Sequence, residues 1–249
     1  MESRTVHVIP MGLEIDRVLG GLKHFPTNRA ILVYGTDRRS DIERKSRHNG
    51  ELIKEKVSAT IDVEEIELDI FDFYVSSRTL TSLLRKLISE GFEVYVNLST
   101  GNRIITSAAL LSCFMTGSHP YYVRPDEYSI PPDQEVLSVG VSSVMEIPSV
   151  RIIGPSAAGQ EILKTLGKMG GSVRHETSLI QPLEGVKDFF SDKKETESKR
   201  AYLARKRAHL SRVLRSLEKE GYVRLSKKGR FVKVSLTDSG KLYSGPPEE

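Results

Sequence analysis

The 249-residue chain is 38% hydrophobic and 28% charged, the balance of a globular protein with enough length for two domains, each with its own core. No apolar run approaches the roughly 20 residues a membrane-spanning helix needs. The first residues enter a strand pattern directly, with no secretion signal, so the chain is expected in the cytoplasm with no membrane partner. A single cysteine, Cys113, excludes an internal disulfide; it lies in an apolar helical pattern and is expected to be a buried small hydrophobe. The net charge of +4 is unevenly spread: residues 1–150 hold 16 Lys+Arg and 21 Asp+Glu, net −5, whereas residues 151–249 hold 21 and 12, net +9. A basic segment of that size is the electrostatic footprint of a nucleic-acid-binding module.

Thr5 to Pro10 reads as a short strand, followed by a helix from about Ile15 to Lys23. Ala30 to Tyr34 is a wholly apolar strand ended by Gly35-Thr36-Asp37, and residues 40–58 are polar and helix-compatible. Val63 to Leu68 alternates apolar and acidic residues, the pattern of a half-exposed strand near a sheet edge. Thr79 to Ser89 places Leu80, Leu83, Leu84, Leu87 and Ile88 on one helical face, with Gly91 closing the helix. Val94 to Leu98 predicts the next strand, Ile104 to Met115 the next helix, and Tyr121 to Val123 a further strand. Two more strands are predicted at Val136 to Val139 and Val144 to Ile147.

Strands alternating with helices predict an α/β fold: a Rossmann-like, mostly parallel sheet with helices on both faces. Right-handed crossovers leave the strand C-termini on one edge, where such sheets bind ligands. Three loops are expected there: Pro10 to Glu14, Gly35 to Arg38, and Ser99 to Arg103. Neither G-x-G-x-x-G nor G-x-x-x-x-G-K-[ST] occurs, which disfavours ordinary dinucleotide binding and P-loop hydrolysis. In the third loop Ser99 and Thr100 offer hydroxyls at a helix start, and Gly101 permits positive φ or close backbone approach. Asn102 can donate and accept, and Arg103 can pair with a phosphate through two N–H groups. Plain helix capping would use the same residue types, and spacing does not separate the two readings.

Pro148 and Gly154-Pro155 bracket a boundary, dividing the chain into residues 1–148 and 149–249. A helix follows over about Ala157 to Met169, stopped by Gly170-Gly171, then a weaker helix within Thr177 to Phe190. Asp192 to Lys199 is a mixed-charge run read as a solvated loop. Lys199 to Glu220 is the strongest helix: Leu203, Leu210, Leu214 and Leu217 fall on one side, and Arg205, His209, Arg212, Ser216 and Lys219 on the other. Tyr222 to Ser226 and Arg230 to Leu236 alternate as two strands joined by Lys227-Lys228-Gly229, a hairpin whose tip and flank carry Lys227, Lys228, Arg230 and Lys233. Thr237 to Gly240 looks like the cap of a last short helix. This order is that of a winged helix-turn-helix, whose basic helix enters a major groove of double-stranded DNA while the hairpin touches phosphates. Arg205, His209 and Arg212 are the expected base readers, with Lys219, Lys227, Lys228 and Arg230 completing the DNA-binding set.

Taken together, the run Asn97-Leu98-Ser99-Thr100-Gly101-Asn102-Arg103, the Gly12-Leu13-Glu14 loop and the signature from Leu217 to Gly240 give the chain a family resemblance over essentially its whole length. It resembles archaeal transcriptional regulators that join a CRISPR-associated Rossmann fold (CARF) domain to a C-terminal winged helix-turn-helix. The resemblance implies a homodimer whose paired pockets bind a cyclic oligoadenylate effector, often the cyclic tetra-adenylate, or a related nucleotide, with no cofactor. It also implies that Gly12, Leu13, Ser99, Thr100, Gly101, Asn102 and Arg103 line that pocket. A ring nuclease that cleaves the bound cyclic oligoadenylate is the competing reading, in which Arg103 or Ser99 would stabilise developing charge. That reading lacks an obvious general base, since His7 faces along a strand, and no Asp/Glu/His cluster has metal-ligand spacing.

Overall fold

A computed structural model describes residues 4–128, 138–150, 152–229 and 231–245. The chain forms two compact units, Met1–Ile152 and Ile153–Glu249.

The first unit runs β1 (Arg4–Pro10), α1 (Ile15–His24), β2 (Arg29–Gly35), α2 (Asp41–Val57), β3 (Asp62–Leu68), α3 (Phe73–Ser89), β4 (Phe92–Asn97), α4 (Arg103–Thr116) and β5 (His119–Arg124), then β6 (Glu127–Tyr128), β7 (Ser138–Val139) and β8 (Ser143–Glu146). The main sheet has the order β3-β2-β1-β4-β5-β8; the first five strands are parallel and β8 is antiparallel to β5. This is the α/β, Rossmann-like architecture with helices on both faces. One core lies between the sheet and α3 and α4, around Val8, Val96, Leu84 and Ile105. The other lies between the sheet and α1 and α2, around Ile9, Leu32, Val18 and Ile53. Cys113 is fully buried in the first of these, and burial pushes its thiol up to about 12, far from a reactive thiolate.

Local sequence accounts for most element boundaries. The acid-and-apolar strand β3 is an edge strand, as its alternation predicts. The apolar run of β2 is buried from Ala30 onward because helices cover both its faces. Helix α3 starts at Phe73, six residues earlier than the leucine spacing predicts, because Asp72 caps it. The Asp72 carboxylate accepts the Tyr74 and Val75 amides at 2.8 and 2.9 Å. The predicted strand from Val136 lies partly outside the described residues; Ser138–Val139 pairs with β6.

The second unit runs α5 (Ala157–Lys168), β9 (Ser172–Val173), a 3₁₀ turn (Glu176–Leu179), α6 (Ile180–Glu184), α7 (Lys199–Lys219), β10 (Val223–Lys228), β11 (Phe231–Leu236) and α8 (Asp238–Lys241). Its sheet order is β10-β11-β9, the three-stranded sheet of a winged helix domain. The two-residue β9 has too little sequence to announce itself and forms only by pairing Val173 with Val234. The hairpin register puts Lys228 opposite Phe231, so β10 runs on through Lys227 and Lys228, beyond the predicted end at Ser226. In α7, Leu210, Leu214 and Leu217 are buried as expected, but Leu203 is 40% exposed. Lys206 takes the inward position there, with its Nζ donating to Glu184 at 2.7 Å and lying over the Tyr202 ring.

Within the first unit, His7 is fully buried among Phe25, Tyr95 and Tyr121, with Nδ1 3.0 Å from the Tyr121 hydroxyl. Burial pushes its pKa down to about 4 from 6.5. Between those values the unfolded chain holds a proton that the folded chain does not, so stability falls as pH drops through that window, by up to about 3 kcal/mol. Urea unfolding of the intact protein at pH 7 and pH 4.5 should show this loss, and His7→Gln should remove most of it; an equal loss in the variant would assign the effect to other groups.

Candidate functional site

The sheet order reverses between β1 and β4: the chain leaves β1 toward β2 and later returns to β4 on its other side. The crevice at the C-terminal ends of these neighbours is the ligand position of open α/β sheets. Two of the three expected loops meet there. The Thr100 hydroxyl donates to the Pro10 carbonyl, and a Cβ placed on Gly12 would lie 2.6 Å from the Gly101 nitrogen. Only glycine permits that approach. Gly101 itself has φ +84°, the left-handed region that glycine adopts without strain. The loop after β2 is held elsewhere: the Gly35 amide donates to Glu43 at 2.9 Å, and Arg47 donates to the Gly35 carbonyl at 2.7 Å, both partners on α2.

The structure sorts the expected ligand residues by role. Ser99 and Thr100 are buried, and their hydroxyls bond to backbone: Ser99 Oγ accepts the Val123 amide at 2.6 Å. Asn102 caps α4, its Oδ1 accepting the Ile104 and Ile105 amides at 2.7 and 3.1 Å. Its Nδ2 donates to the Ile70 carbonyl at 3.3 Å and ties in the loop before α3. These three side chains therefore build the turn. Gly12, Leu13 and Gly101 are half-buried at its rim, and the Leu13 carbonyl accepts from Asn49 at 2.8 Å.

What the turn leaves without a protein partner is backbone amide and guanidinium. Among the described residues the amides of residues 100–103 have no protein acceptor. Arg103, the first residue of α4, is exposed and makes no ion pair there. The first turn of α4 carries no acidic residue. A lone cation at the positive end of a helix is opposed by the macrodipole by about 0.3–1 kcal/mol, the reverse of the stabilising arrangement. An anion seated on those amides would remove that opposition and pair with the guanidinium.

In the second unit the basic helix presents a different face from the one its spacing predicts. Arg205 is turned onto the chain: Nε and Nη2 donate to Glu197 at 3.1 and 2.9 Å, and Nη2 also to the Asp192 carbonyl at 2.8 Å. His209 packs edge-on against Phe189, with ring centroids 5.5 Å apart. Both are held by the segment between α6 and α7, which the helical wheel omits. Arg212 and Lys219 are exposed as predicted, and Arg200, Arg207 and Arg215 join them; none of the five is ion-paired among the described residues. In the hairpin, Lys227 and Lys233 are exposed; Arg230 lies outside the described residues. No group of three or more His, Cys, Asp or Glu is placed to hold a metal ion among the described residues. No described helix is long and apolar enough to cross a membrane.

Residues 5–128 match the family model HFX_2341_N-like, N-terminal, and residues 158–244 match the DUF6293 C-terminal winged helix domain. The first unit is thus similar to HFX_2341_N-like domains and the second to the DUF6293 winged helix domain. A relative from Archaeoglobus fulgidus, named only as an uncharacterized protein, is 26% identical over 240 residues, 96% of each chain. Among solved structures, Can2 from Sulfobacillus thermosulfidooxidans in complex with cyclic tetra-adenylate is 11% identical, covering 94% of this chain and 73% of that one at a TM-score of 0.44. Enterococcus italicus Csm6 bound to cyclic hexa-2′-fluoro-hexa-dAMP is 11% identical, covering 89% and 57% at a TM-score of 0.43.

The capping role of Asn102 has a measurable consequence. Asn102→Ala should lower stability by about 1 kcal/mol, read by chemical denaturation without any ligand, because two α4 amides lose their acceptor. An unchanged midpoint would mean that the cap contributes nothing.

Proposed function

We propose that the protein is a ligand-responsive, DNA-binding transcriptional regulator. In this reading its first unit is a CARF-type receptor for a cyclic oligoadenylate or related nucleotide, and its winged helix domain binds double-stranded DNA. The observation that carries the receptor half is the unpaired Arg103 beside the open amides of residues 100–103, at the switch point of the sheet. A nucleotide phosphate meets both: the amides supply fixed dipoles, and the guanidinium supplies a planar two-donor contact. The DNA half is supported by the exposed cations Arg207, Arg212, Arg215 and Lys219 on α7, not ion-paired among the described residues, and by the exposed Lys227 and Lys233 on the hairpin.

The proposed assembly is a homodimer. A two-fold axis gives two copies of α7 a fixed spacing, matched to two half-sites about one helical turn of DNA apart. An effector that favours one arrangement of the two receptor units shifts that spacing, with coupling typically about 1–3 kcal/mol, enough to change promoter occupancy.

Isothermal titration with cyclic tetra-adenylate should show saturable binding that weakens at least tenfold in Arg103→Ala. Mobility shift on a fragment from upstream of the protein's own coding region should show affinity falling steeply between 50 and 200 mM salt. Arg212→Ala and Arg215→Ala should each reduce the slope of log affinity against log salt by about 1. Arg205→Ala should affect DNA affinity less than either, since its charge already has a carboxylate partner. A flat salt response would overturn the DNA-binding half.

A further inference from the structure

Arg17, in the first turn of α1, is 6% exposed, and no carboxylate pairs with it among the described residues. Its Nε donates to the Val123 carbonyl at 2.9 Å, whereas its buried Nη2 has no hydrogen-bond partner. The neighbouring carboxylate is committed elsewhere, as Asp16 accepts the Gly140 amide at 3.0 Å. The guanidinium lies 4.7 Å from the centre of the Tyr122 ring, a contact that offsets only part of the cost of desolvation. Arginine stays protonated in proteins, so the described residues enclose a positive charge with an idle donor and supply it no counter-charge, an arrangement that costs several kcal/mol unless something supplies the anion.

Its position says where that anion belongs. The Arg17 carbonyl accepts from Asn97 at 3.3 Å, at the last residue of β4. Val123, whose carbonyl Arg17 holds, is the residue whose amide Ser99 Oγ holds at 2.6 Å. Arg17 and Ser99 thus grip the two ends of one residue at the C-terminal edge of the sheet, beside the turn that carries Arg103. We infer that Arg17 is a second anion contact of the candidate receptor site and takes a phosphate of the nucleotide bound at the 98–103 turn. The inference rests on the nucleotide-receptor reading above. Tyr122, half-buried and with its hydroxyl 3.2 Å from that of Tyr128, covers the guanidinium and has to swing aside for the phosphate to reach Nη2.

The test compares the full chain with Arg17→Gln and Arg103→Ala, using cyclic tetra-adenylate as the probe in isothermal titration and thermal unfolding without ligand. Arg17→Gln is expected to bind at least tenfold more weakly while its Tm stays level or rises, since removing an uncompensated buried charge relieves the empty fold. Binding reduced by less than tenfold overturns the contact, as does a loss of binding accompanied by a Tm several degrees lower, which marks a purely structural role. If Arg17→Gln does not fold, Arg17→Lys, which keeps the charge, replaces it: at least fivefold weaker binding at unchanged Tm supports the contact, and any smaller loss or a lowered Tm overturns it. Weak binding in Arg103→Ala with full binding in the Arg17 variant overturns only the Arg17 contact. No binding by the unaltered chain overturns the receptor reading itself.

Discussion

The close approach of two strand-end loops, Gly12 against the Gly101 amide with Thr100 bonded to the Pro10 carbonyl, is the constraint on which the candidate receptor site depends. It exists because β1 and β4 are neighbours in the sheet although α1, β2, α2, β3 and α3 lie between them in the chain. Two loops so far apart in sequence can share one crevice only where the strand order reverses. The space between them is fixed by the absence of a side chain at position 12. Buried hydroxyls at 99 and 100 and the Asn102 cap then hold the turn so that amides, rather than side-chain oxygens, are left without a protein partner among the described residues. A rigid array of dipoles loses little freedom when a ligand arrives, which is where preorganised sites gain affinity.

Charge is distributed in keeping with that geometry. Several surface cations of the first unit are answered by carboxylates, as in Arg29 with Glu64 and Arg47 with Glu67. Arg103 and Arg17 find no such partner among the described residues, and both lie in the first turns of helices, where the macrodipole opposes a positive charge. Proteins commonly hold such unfavourable arrangements at sites that bind something, trading stability for function.

The winged helix domain applies the reverse selection to a single helix. Along α7, Arg205 and Lys206 are neutralised by Glu197 and Glu184 and serve packing, while Arg207, Arg212 and Arg215 keep their charges in solvent. Cations free of local partners are the ones able to displace counterions from a phosphate backbone. The helix therefore carries two kinds of basic residue that composition counts alike.

The sequence by itself determined the element types, the edge position of β3, the parallel sheet and the winged helix order, because apolar periodicity, glycine stops and charge alternation are local signals. It also marked the 99–103 turn, since a Ser/Thr/Gly run between a strand and a helix is written in consecutive residues. Tertiary structure alone decided which of those residues face outward. Capping consumed Asn102, strand β5 claimed Ser99, and the segment between α6 and α7 captured Arg205 and His209 while Arg207 and Arg215 were left free. Arg17 and the two-residue β9 were invisible for the same reason: each acquires its meaning from a partner more than 60 residues away, Val123 in one case and Val234 in the other, and a hydrogen bond between distant segments leaves no periodicity in the chain.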